Sequence, residues 1–250
     1  ELGQTEDVVC VYIPQACAGY VVGLMQSFML LEHMEGKKVL LCTGETFCRG
    51  NKEKQEPPYY RAPFGGDAAN ITIVENAGNE KVYYEFHQDG SQRNCLVIPD
   101  GAFRNPMTVE QIEHQVTRMP ITSVVMDGST VFNFAQKEVP VLINSLTDMA
   151  EISKEDIDWF LFHQPNKFML QKLAERINVP YEKMPMDIVG KFGNSNSATI
   201  PTAITADLKE EMLNKESLCC LAGFGAGVAW AGIIMKMGNM DFCDTIISDL

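Results

Sequence analysis

The chain has 250 residues, of which 46% are hydrophobic and 21% are charged, so it is long enough to bury a substantial core. Its formal net charge of −13 excludes a general nucleic-acid binder, because contacts to phosphate groups need a basic surface. The apolar run of residues 16–31 is shorter than the roughly 20 residues of a membrane span and is interrupted by Gln26 and Ser27. We therefore predict a buried helix there and no membrane association.

The eight cysteines include no CxxC pair. This spacing argues against a structural zinc site, and a chain of this size does not depend on disulfide bonds for a stable core. We therefore predict a reduced, cytoplasmic protein without a metal site.

The first third of the chain follows the order strand, helix, strand. The predicted strands are β-branched and apolar, as buried strands are, and the helix between them ends at Gly36. This order predicts a parallel α/β sheet. The predicted elements are a strand at 7–13, a helix at about 16–34, and strands at 38–43, 69–75 and 80–87, with a polar, proline-rich loop at 50–65.

The rest of the chain again alternates helices with strands. Ser153 and Asp156 form a predicted capping box in front of one of the strands. The predicted elements are helices at about 130–149, 167–177 and 203–213, and strands at 158–163, 217–222 and 228–235.

Cys17 lies at the predicted start of the first helix, in ACAGY. A thiol at a helix N-terminus is close to unpaired N–H groups and to the positive end of the helix dipole, which favour the thiolate and lower its pKa. The small neighbours Ala16, Ala18 and Gly19 leave room for a substrate. Most buried cysteines are small apolar core residues, so the local pattern leaves both interpretations open.

His163 ends a predicted strand in FHQPN, at the edge of a sheet where α/β proteins bind ligands. Its imidazole is suited to donate a hydrogen bond or to act as a general base. Asn166 follows three residues later, where it can orient the loop or accept a hydrogen bond. A buried histidine with a purely structural hydrogen bond is the alternative.

Two glycine-containing segments follow. FGNSNSATIP contains Gly193, which suits a tight turn, and Asn194, whose amide is a hydrogen-bond donor; an ordinary asparagine-rich loop is the alternative. GFGAG, at residues 223–227, lacks both the Lys-Ser/Thr of a P-loop and the GxGxxG spacing. It therefore predicts a tight turn rather than a phosphate site.

The order of ACAGYVVGL, HQPN, GNSNSATIP and GFGAG resembles the β-ketoacyl-acyl-carrier-protein synthase III family of the thiolase superfamily. LGQTED at the start, GETFCR at 44–49 and MDGSTVFNFAQKEVP at 126–140 extend the resemblance to about Lys236. The resemblance implies a thiolase-like five-layered α/β/α/β/α fold with two similar halves. It divides the chain into an incomplete N-terminal half carrying the nucleophile (1–118), a C-terminal half carrying histidine and asparagine (119–236) and an acidic tail (237–250).

The resemblance also implies roles for single residues. Cys17 is implied as the acyl-accepting nucleophile, with His163 and Asn194 completing a Cys-His-Asn triad. The backbone N–H groups of Cys17 and Gly225 are implied to hold an oxyanion. The implied substrate-binding residues are Asn166, Phe132 and Arg49. Lys167, Lys172 and Arg176 are interpreted as a local basic patch that replaces the family's carrier-protein docking residues, and a solvated helix face is the alternative.

The implied activity is that of an acyltransferase. An acyl group passes from a coenzyme A thioester to the cysteine and is then joined to the carbanion formed by decarboxylation of malonyl-acyl carrier protein. Acyl-CoA and malonyl-ACP are therefore the implied substrates, with no permanently bound cofactor. The acyl carrier protein is the implied partner, and the implied assembly is a cytoplasmic homodimer.

The sequence also departs from the family's pattern. The chain begins part-way into that pattern, so we expect the first strands and helices of the N-terminal half, which help to bind coenzyme A, to be absent. Tyr12 replaces an acidic residue, and Asn133 and Phe168 replace basic docking residues. These departures predict a divergent synthase. The alternatives are an acyltransferase of secondary metabolism with the same triad, and a non-catalytic partner subunit of a synthase.

Overall fold

The computed structural model of the protein describes residues 8–46, 65–76, 80–99, 103, 105–106, 108–110 and 124–248. The α-helices are α1 (Gly19–Leu31), α2 (Gly128–Ala150), α3 (Lys167–Ile177), α4 (Ile188–Phe192), α5 (Thr199–Asp207) and α6 (Lys209–Asn214). The strands are β1 (Lys38–Thr46), β2 (Asp67–Glu75), β3 (Tyr83–Gln88), β4 (Leu96–Val97), β5 (Val125–Met126), β6 (Trp159–Phe162), β7 (Glu216–Gly225) and β8 (Ala229–Gly238).

The central sheet has four strands in the order β3-β8-β7-β6. β6 runs parallel to β7, whereas β8 is antiparallel to both β7 and β3. Side chains alternate between the two faces along β7, so Cys220 and Ala222 enter one core and Cys219 and Leu221 enter the other. Both faces of this sheet are therefore buried along β6, β7 and β8, which explains why these three strands are mainly apolar in the sequence.

Helices cover both faces of the central sheet. The amphipathic helices α2 and α3 pack on the first face, and α1, α5 and α6 pack on the second. The first core is built around Phe134, Leu142, Leu146, Phe160, Phe162, Leu170 and Leu173. The second core is built around Tyr20, Leu24, Leu161, Ile200, Ile204, Met212, Leu221 and Ile233.

A second, two-stranded sheet lies on the other side of α1. β1 and β2 are antiparallel, from the pair Lys38 and Glu75 to the pair Thr46 and Asp67. α1 contacts this sheet as well as β7 and β8, so it is held between two sheets. The described residues thus form four successive layers: helices, central sheet, helices, second sheet.

The predicted strand at 7–13 is wrong for its described residues. Residues 8–15 are in no strand, and Val9, Val11 and Tyr12 are 84%, 65% and 87% exposed. A strand forms only with a hydrogen-bonded neighbour, and no described strand pairs with this segment. Its β-branched composition therefore does not produce a buried strand here.

Two other expectations change in detail. β1 pairs with antiparallel β2, so the parallel sheet predicted from the first strand–helix–strand unit is not found there; the parallel pair is β6 and β7.

The helix predicted at 203–213 begins earlier, at Thr199, and is divided into α5 and α6. Pro201 is tolerated because it lies in the first turn of α5, where its missing N–H would have no intrahelical partner. The predicted loop at 50–65 lies almost entirely outside the described residues.

The proposed division of the chain stays a prediction, but strand pairing bears on it. β3 belongs to the residues assigned to the N-terminal half, yet it pairs with β8 of the C-terminal half. After β8, the backbone N–H of Met240 donates to Met212, and Cys243 is buried in the second core. The segment after residue 236 therefore begins as part of the folded core.

Candidate active site

Cys17 lies in a 3-10 turn, Ala16–Ala18, that leads directly into α1. Ala16 has a φ of 43°, a left-handed conformation that is uncommon for a residue with a Cβ. The turn places Cys17 against β7, and the side chain is 7% exposed. The predicted location at a helix start is therefore confirmed by the local structure.

Glycines of β7 allow the strand to approach this turn closely. A Cβ added at Gly225 would lie 2.8 Å from Cys17 Sγ, and one added at Gly223 would lie 2.8 Å from Ala18 Cα. Any side chain at either position would displace the turn. The glycines of GFGAG thus provide space for the cysteine.

The groups around the Cys17 thiol have opposite effects on its pKa. It donates a hydrogen bond to Asn196 Oδ1, 3.3 Å away, and the backbone N–H of Ala226 donates to its sulfur. Burial, with a smaller contribution from the nearby Glu45 carboxylate, nevertheless raises the pKa of Cys17 to about 12, against the opposing hydrogen bond from the Ala226 N–H. The lowered pKa expected from the helix N-terminus is therefore wrong for this site, because loss of water outweighs the local N–H groups.

His163 directly follows β6, as predicted, and is 2% exposed. Its backbone N–H donates to Ala222 of β7, 2.8 Å away. Burial lowers the pKa of His163 to about 4, although a hydrogen bond to the backbone of Asn196 acts in the opposite direction. The imidazole is therefore neutral at pH 7 and suited to donate a hydrogen bond without losing a full proton.

Thr199 holds the imidazole in place. Its hydroxyl lies 2.8 Å from His163 Nδ1 and 2.8 Å from the Asn196 carbonyl oxygen. It also accepts a hydrogen bond from the backbone N–H of Gln164. The single hydroxyl hydrogen serves one acceptor at a time. When it serves Nδ1, the proton of the neutral ring is on Nε2.

The low pKa of His163 predicts that its contribution to stability is lost in acid. The ordinary pKa is 6.5 and the folded-state pKa about 4, so the unfolded chain binds more protons between these values. We expect this stability to be fully present above pH 6.5 and to fall by at most about 3 kcal/mol as the pH drops through 4.

Urea unfolding of the full-length protein at a series of pH values measures this loss. His163→Gln, which cannot take up the proton, is expected to lose less stability over the same range. The same pH dependence in both proteins would contradict the assignment.

Asn194 lies beside the site, in the loop after α4. Its Oδ1 accepts a hydrogen bond from the backbone N–H of Asn196, 2.9 Å away, and its backbone oxygen accepts one from Gly66. The first bond orients the amide, so its NH₂ group is the end left to donate to another molecule.

Sequence reasoning missed four residues of this site: Glu45, Asn196, Thr199 and Ala226. Asn196 and Thr199 lie within GNSNSATIP, Ala226 within GFGAG and Glu45 within GETFCR, so each motif contained the signal. Ala226 directly follows the predicted oxyanion donor Gly225, and its N–H reaches the sulfur, as does the N–H of Cys17 itself. A role for the Gly225 N–H stays a prediction.

The predicted substrate-binding residues have separate positions. Asn166 is the N-cap of α3, where its Oδ1 accepts a hydrogen bond from the N–H of Met169 at 2.8 Å. Phe132, in the first turns of α2, stacks on Phe168 with ring centres 5.8 Å apart. Arg49 lies outside the described residues.

The predicted docking residues all lie on α3. Lys167 pairs with Asp187 at 2.7 Å, and Lys172 pairs with Glu175 at 2.6 Å. Arg176 is exposed in the last turn. Two of the three positive charges therefore have an acidic neighbour.

Within the described part of the chain, no helix combines the length and apolar character needed to cross a membrane. The same residues contain no group of three or more His, Cys, Asp or Glu side chains able to hold a metal ion.

Comparison with known proteins gives consistent matches. Residues 147–237 match the family profile described as 3-oxoacyl-[acyl-carrier-protein (ACP)] synthase III C terminal. The β-ketoacyl-[acyl-carrier-protein] synthase III of Synechocystis sp. is 31% identical over 224 residues, which are 90% of this chain and 66% of that protein. A putative 3-oxoacyl-[acyl-carrier-protein] synthase 3 of Campylobacter jejuni is 27% identical over 243 residues, 96% of this chain and 67% of that protein. The crystal structure of a 3-oxoacyl-(acyl-carrier protein) synthase from Burkholderia xenovorans has a TM-score of 0.80 and 31% identity, covering 93% of this chain and 65% of that one.

The layered sheets, together with a buried cysteine and histidine beside an asparagine-rich loop, define a thiolase-like α/β protein, which confirms the predicted fold class. The chain belongs to the β-ketoacyl-[acyl-carrier-protein] synthase III family, which confirms the predicted resemblance. It spans about two thirds of the length of the curated relatives it matches.

Proposed function

We propose that the protein is an acyltransferase that condenses an acyl thioester with malonyl-ACP by a decarboxylative Claisen reaction. Cys17 carries the acyl group, and His163 and Asn194 complete the triad. The observation that supports this proposal best is the buried site in which one short segment, 194–199, contacts both the Cys17 thiol and the neutral His163 imidazole.

In the loading step, the sulfur of Cys17 attacks the thioester carbonyl of acyl-CoA. A Cys–S–acyl bond forms, the acyl–S bond to coenzyme A breaks, and the thiol proton leaves with the coenzyme A thiol. The N–H of Ala226 already reaches the sulfur, which supports a nearby backbone site for the transient oxyanion.

In the condensation step, malonyl-ACP loses carbon dioxide and negative charge develops on its thioester oxygen. Two neutral donors, the His163 imidazole and the Asn194 amide, stabilise that enolate without protonating its carbon. The carbanion attacks the acyl carbonyl, and Cys17 leaves as the thiolate and then takes up a proton from water. The low pKa of His163 supports its role as a donor that stays neutral.

The experiment is a condensation assay with the full-length protein. Short, medium and branched acyl-CoA are each incubated with malonyl-ACP, and 3-oxoacyl-ACP is sought by mass spectrometry together with released carbon dioxide. Product with at least one donor is the expected result. Absence of product with every donor would overturn the proposal and favour a non-catalytic partner subunit.

We propose that the acyl carrier protein docks on α3 through Lys167, Lys172 and Arg176. Because the two lysines are paired with acids, Arg176 is expected to contribute most of the net attraction. We expect Arg176→Glu to raise the KM for malonyl-ACP roughly 3- to 10-fold at low salt, with the difference shrinking as salt is added.

Initial rates at several malonyl-ACP concentrations give this KM. Acyl loading from acyl-CoA, which does not involve the carrier protein, is expected to stay unchanged. Lys37→Glu, an equal change at an exposed residue before β1, is the matched control. An unchanged KM in Arg176→Glu would place the docking surface elsewhere.

We propose that Asn166, Phe132 and Arg49 contribute to substrate binding.

We also propose that the protein acts as a cytoplasmic homodimer. Leu40, Ile71 and Ile73 are 50%, 61% and 45% exposed on one face of the β1–β2 sheet, and such an apolar face supports burial against another surface. The described cysteines are free thiols, which supports a reducing compartment. A monomeric mass of the full-length protein in light scattering would contradict the dimer.

A further inference from the structure

Two polar side chains outside the predicted triad connect the second sheet to the Cys17 thiol. Asn196 accepts the thiol hydrogen bond at Oδ1, 3.3 Å from Sγ. The half-buried side chain of Glu45, near the end of β1, hydrogen-bonds to the side chain of Asn196. The three side chains therefore form one hydrogen-bonded series.

The carboxylate determines which end of the amide faces the thiol. An ionised carboxylate only accepts hydrogen bonds, so Glu45 faces the NH₂ group of Asn196. Oδ1 is then the end that faces Cys17. An amide oxygen accepts a hydrogen bond from a neutral thiol but repels a thiolate, so this orientation favours protonated Cys17.

The backbone of Asn196 is held from both sides. It has a φ of 46°, its N–H donates to Asn194 Oδ1 at 2.9 Å, and its carbonyl oxygen lies 2.8 Å from the Thr199 hydroxyl. Only the side-chain amide is left to turn. If its NH₂ group faced the sulfur, the same residue would stabilise the thiolate.

The negative charge of Glu45 favours the protonated thiol, as the Asn196 amide oxygen does. The negative charge of Glu45 raises the pKa of Cys17, whereas the N–H of Ala226 lowers it. His163, the other buried titratable group of the site, is neutral. Glu45 is thus the charged group that acts on Cys17 among the described residues.

We propose that Glu45 and Asn196 are positioning residues that keep Cys17 protonated and weakly nucleophilic while the site is empty, and that rotation of the Asn196 amide releases the thiol for acyl transfer. This inference rests on the proposed role of Cys17 as acyl acceptor. Because the thiolate is the reactive form, a thiol held in this way resists alkylation between turnovers.

The test is the rate at which iodoacetamide alkylates Cys17 in the full-length protein, followed by mass spectrometry of the Cys17 peptide. Glu45→Gln removes the charge and also the requirement that the NH₂ group face β1. We expect alkylation at neutral pH to become about tenfold faster, the change that corresponds to about one pKa unit. Glu75→Gln, which removes the same charge at an exposed ion pair with Lys38, is expected to react like the unmodified protein.

A second variant distinguishes the effect of the Asn196 amide orientation from the effect of the Glu45 charge. Asn196→Gly retains the left-handed backbone but removes the amide, and it is also expected to speed alkylation. In this background Glu45→Gln is expected to give less than half of its original effect. An equal effect with and without the amide would show that the carboxylate acts by charge alone and would overturn the proposal. Unchanged alkylation in Glu45→Gln, with an unchanged melting temperature, would also overturn it.

These rates need no acyl donor. A protein that shows the expected alkylation pattern but forms no 3-oxoacyl product would contradict the proposed function and leave the roles of Glu45 and Asn196 intact.

Discussion

Alanine in place of Cys17 is expected to abolish acyl transfer to the protein. Alanine retains the small size that the contact with Gly225 requires, but it has no nucleophile. Neither of the groups that contact the sulfur, the Asn196 amide and the Ala226 N–H, can replace it. Mass spectrometry of the full-length protein after incubation with acyl-CoA is expected to show no acyl adduct on the residue-17 peptide.

Two further variants make this result specific. Cys42→Ala removes an exposed cysteine on β1 and is expected to load at the original rate. Cys17→Ser retains a small nucleophile but is also expected to stay unloaded, because a histidine with a pKa of about 4 is too weak a base to activate a hydroxyl. An acyl adduct formed at the original rate on another residue of Cys17→Ala would contradict the assignment.

The second large effect is expected at His163. His163→Ala removes one of the two proposed enolate donors, and loss of a comparable oxyanion donor typically slows a reaction by about 10² to 10³. We expect a decrease of this order in condensation and a smaller one in acyl loading, because the enolate forms only after loading. Single-turnover reaction of preloaded acyl-enzyme with malonyl-ACP measures the condensation step by itself.

Thr199 provides the matched controls for this step. Thr199→Ser retains the hydroxyl beside Nδ1 and is expected to condense at nearly the original rate, whereas Thr199→Val is expected to slow condensation because the imidazole loses its partner. If His163→Ala slowed loading as much as condensation, His163 would instead be assigned to deprotonation of Cys17.

The sequence predicted secondary structure correctly where that structure depends on residues close together in the chain. α3 has the predicted bounds, because its apolar spacing and its Asn166 cap are local signals. The capping box of Ser153 and Asp156 is present for the same reason. Residues 8–13 are the contrary case: β-branched composition predicted a strand there, but strand formation depends on a partner that composition does not reveal.

In the candidate site, too, the sequence predicted local features but not contacts between distant segments. The order of motifs was enough to select Cys17, His163 and Asn194, each of which has a recognisable residue type at a predicted junction between elements. Asn196 and Glu45 were missed because their importance lies in contacts between distant segments. Asn196 is 179 residues from the cysteine whose thiol it binds.

By itself, the sequence determined the family, most of the helices and the identity of the proposed triad, because these depend on residue types and short spacings. Only the tertiary structure decided the state of the thiol. A helix N-terminus predicted a lowered pKa, whereas the folded chain raises the pKa of Cys17 to about 12. The physical reason is that β7 and the segment 194–199 exclude water from the sulfur. This desolvation, together with the Glu45 carboxylate of β1, outweighs the hydrogen bonds of the local N–H groups.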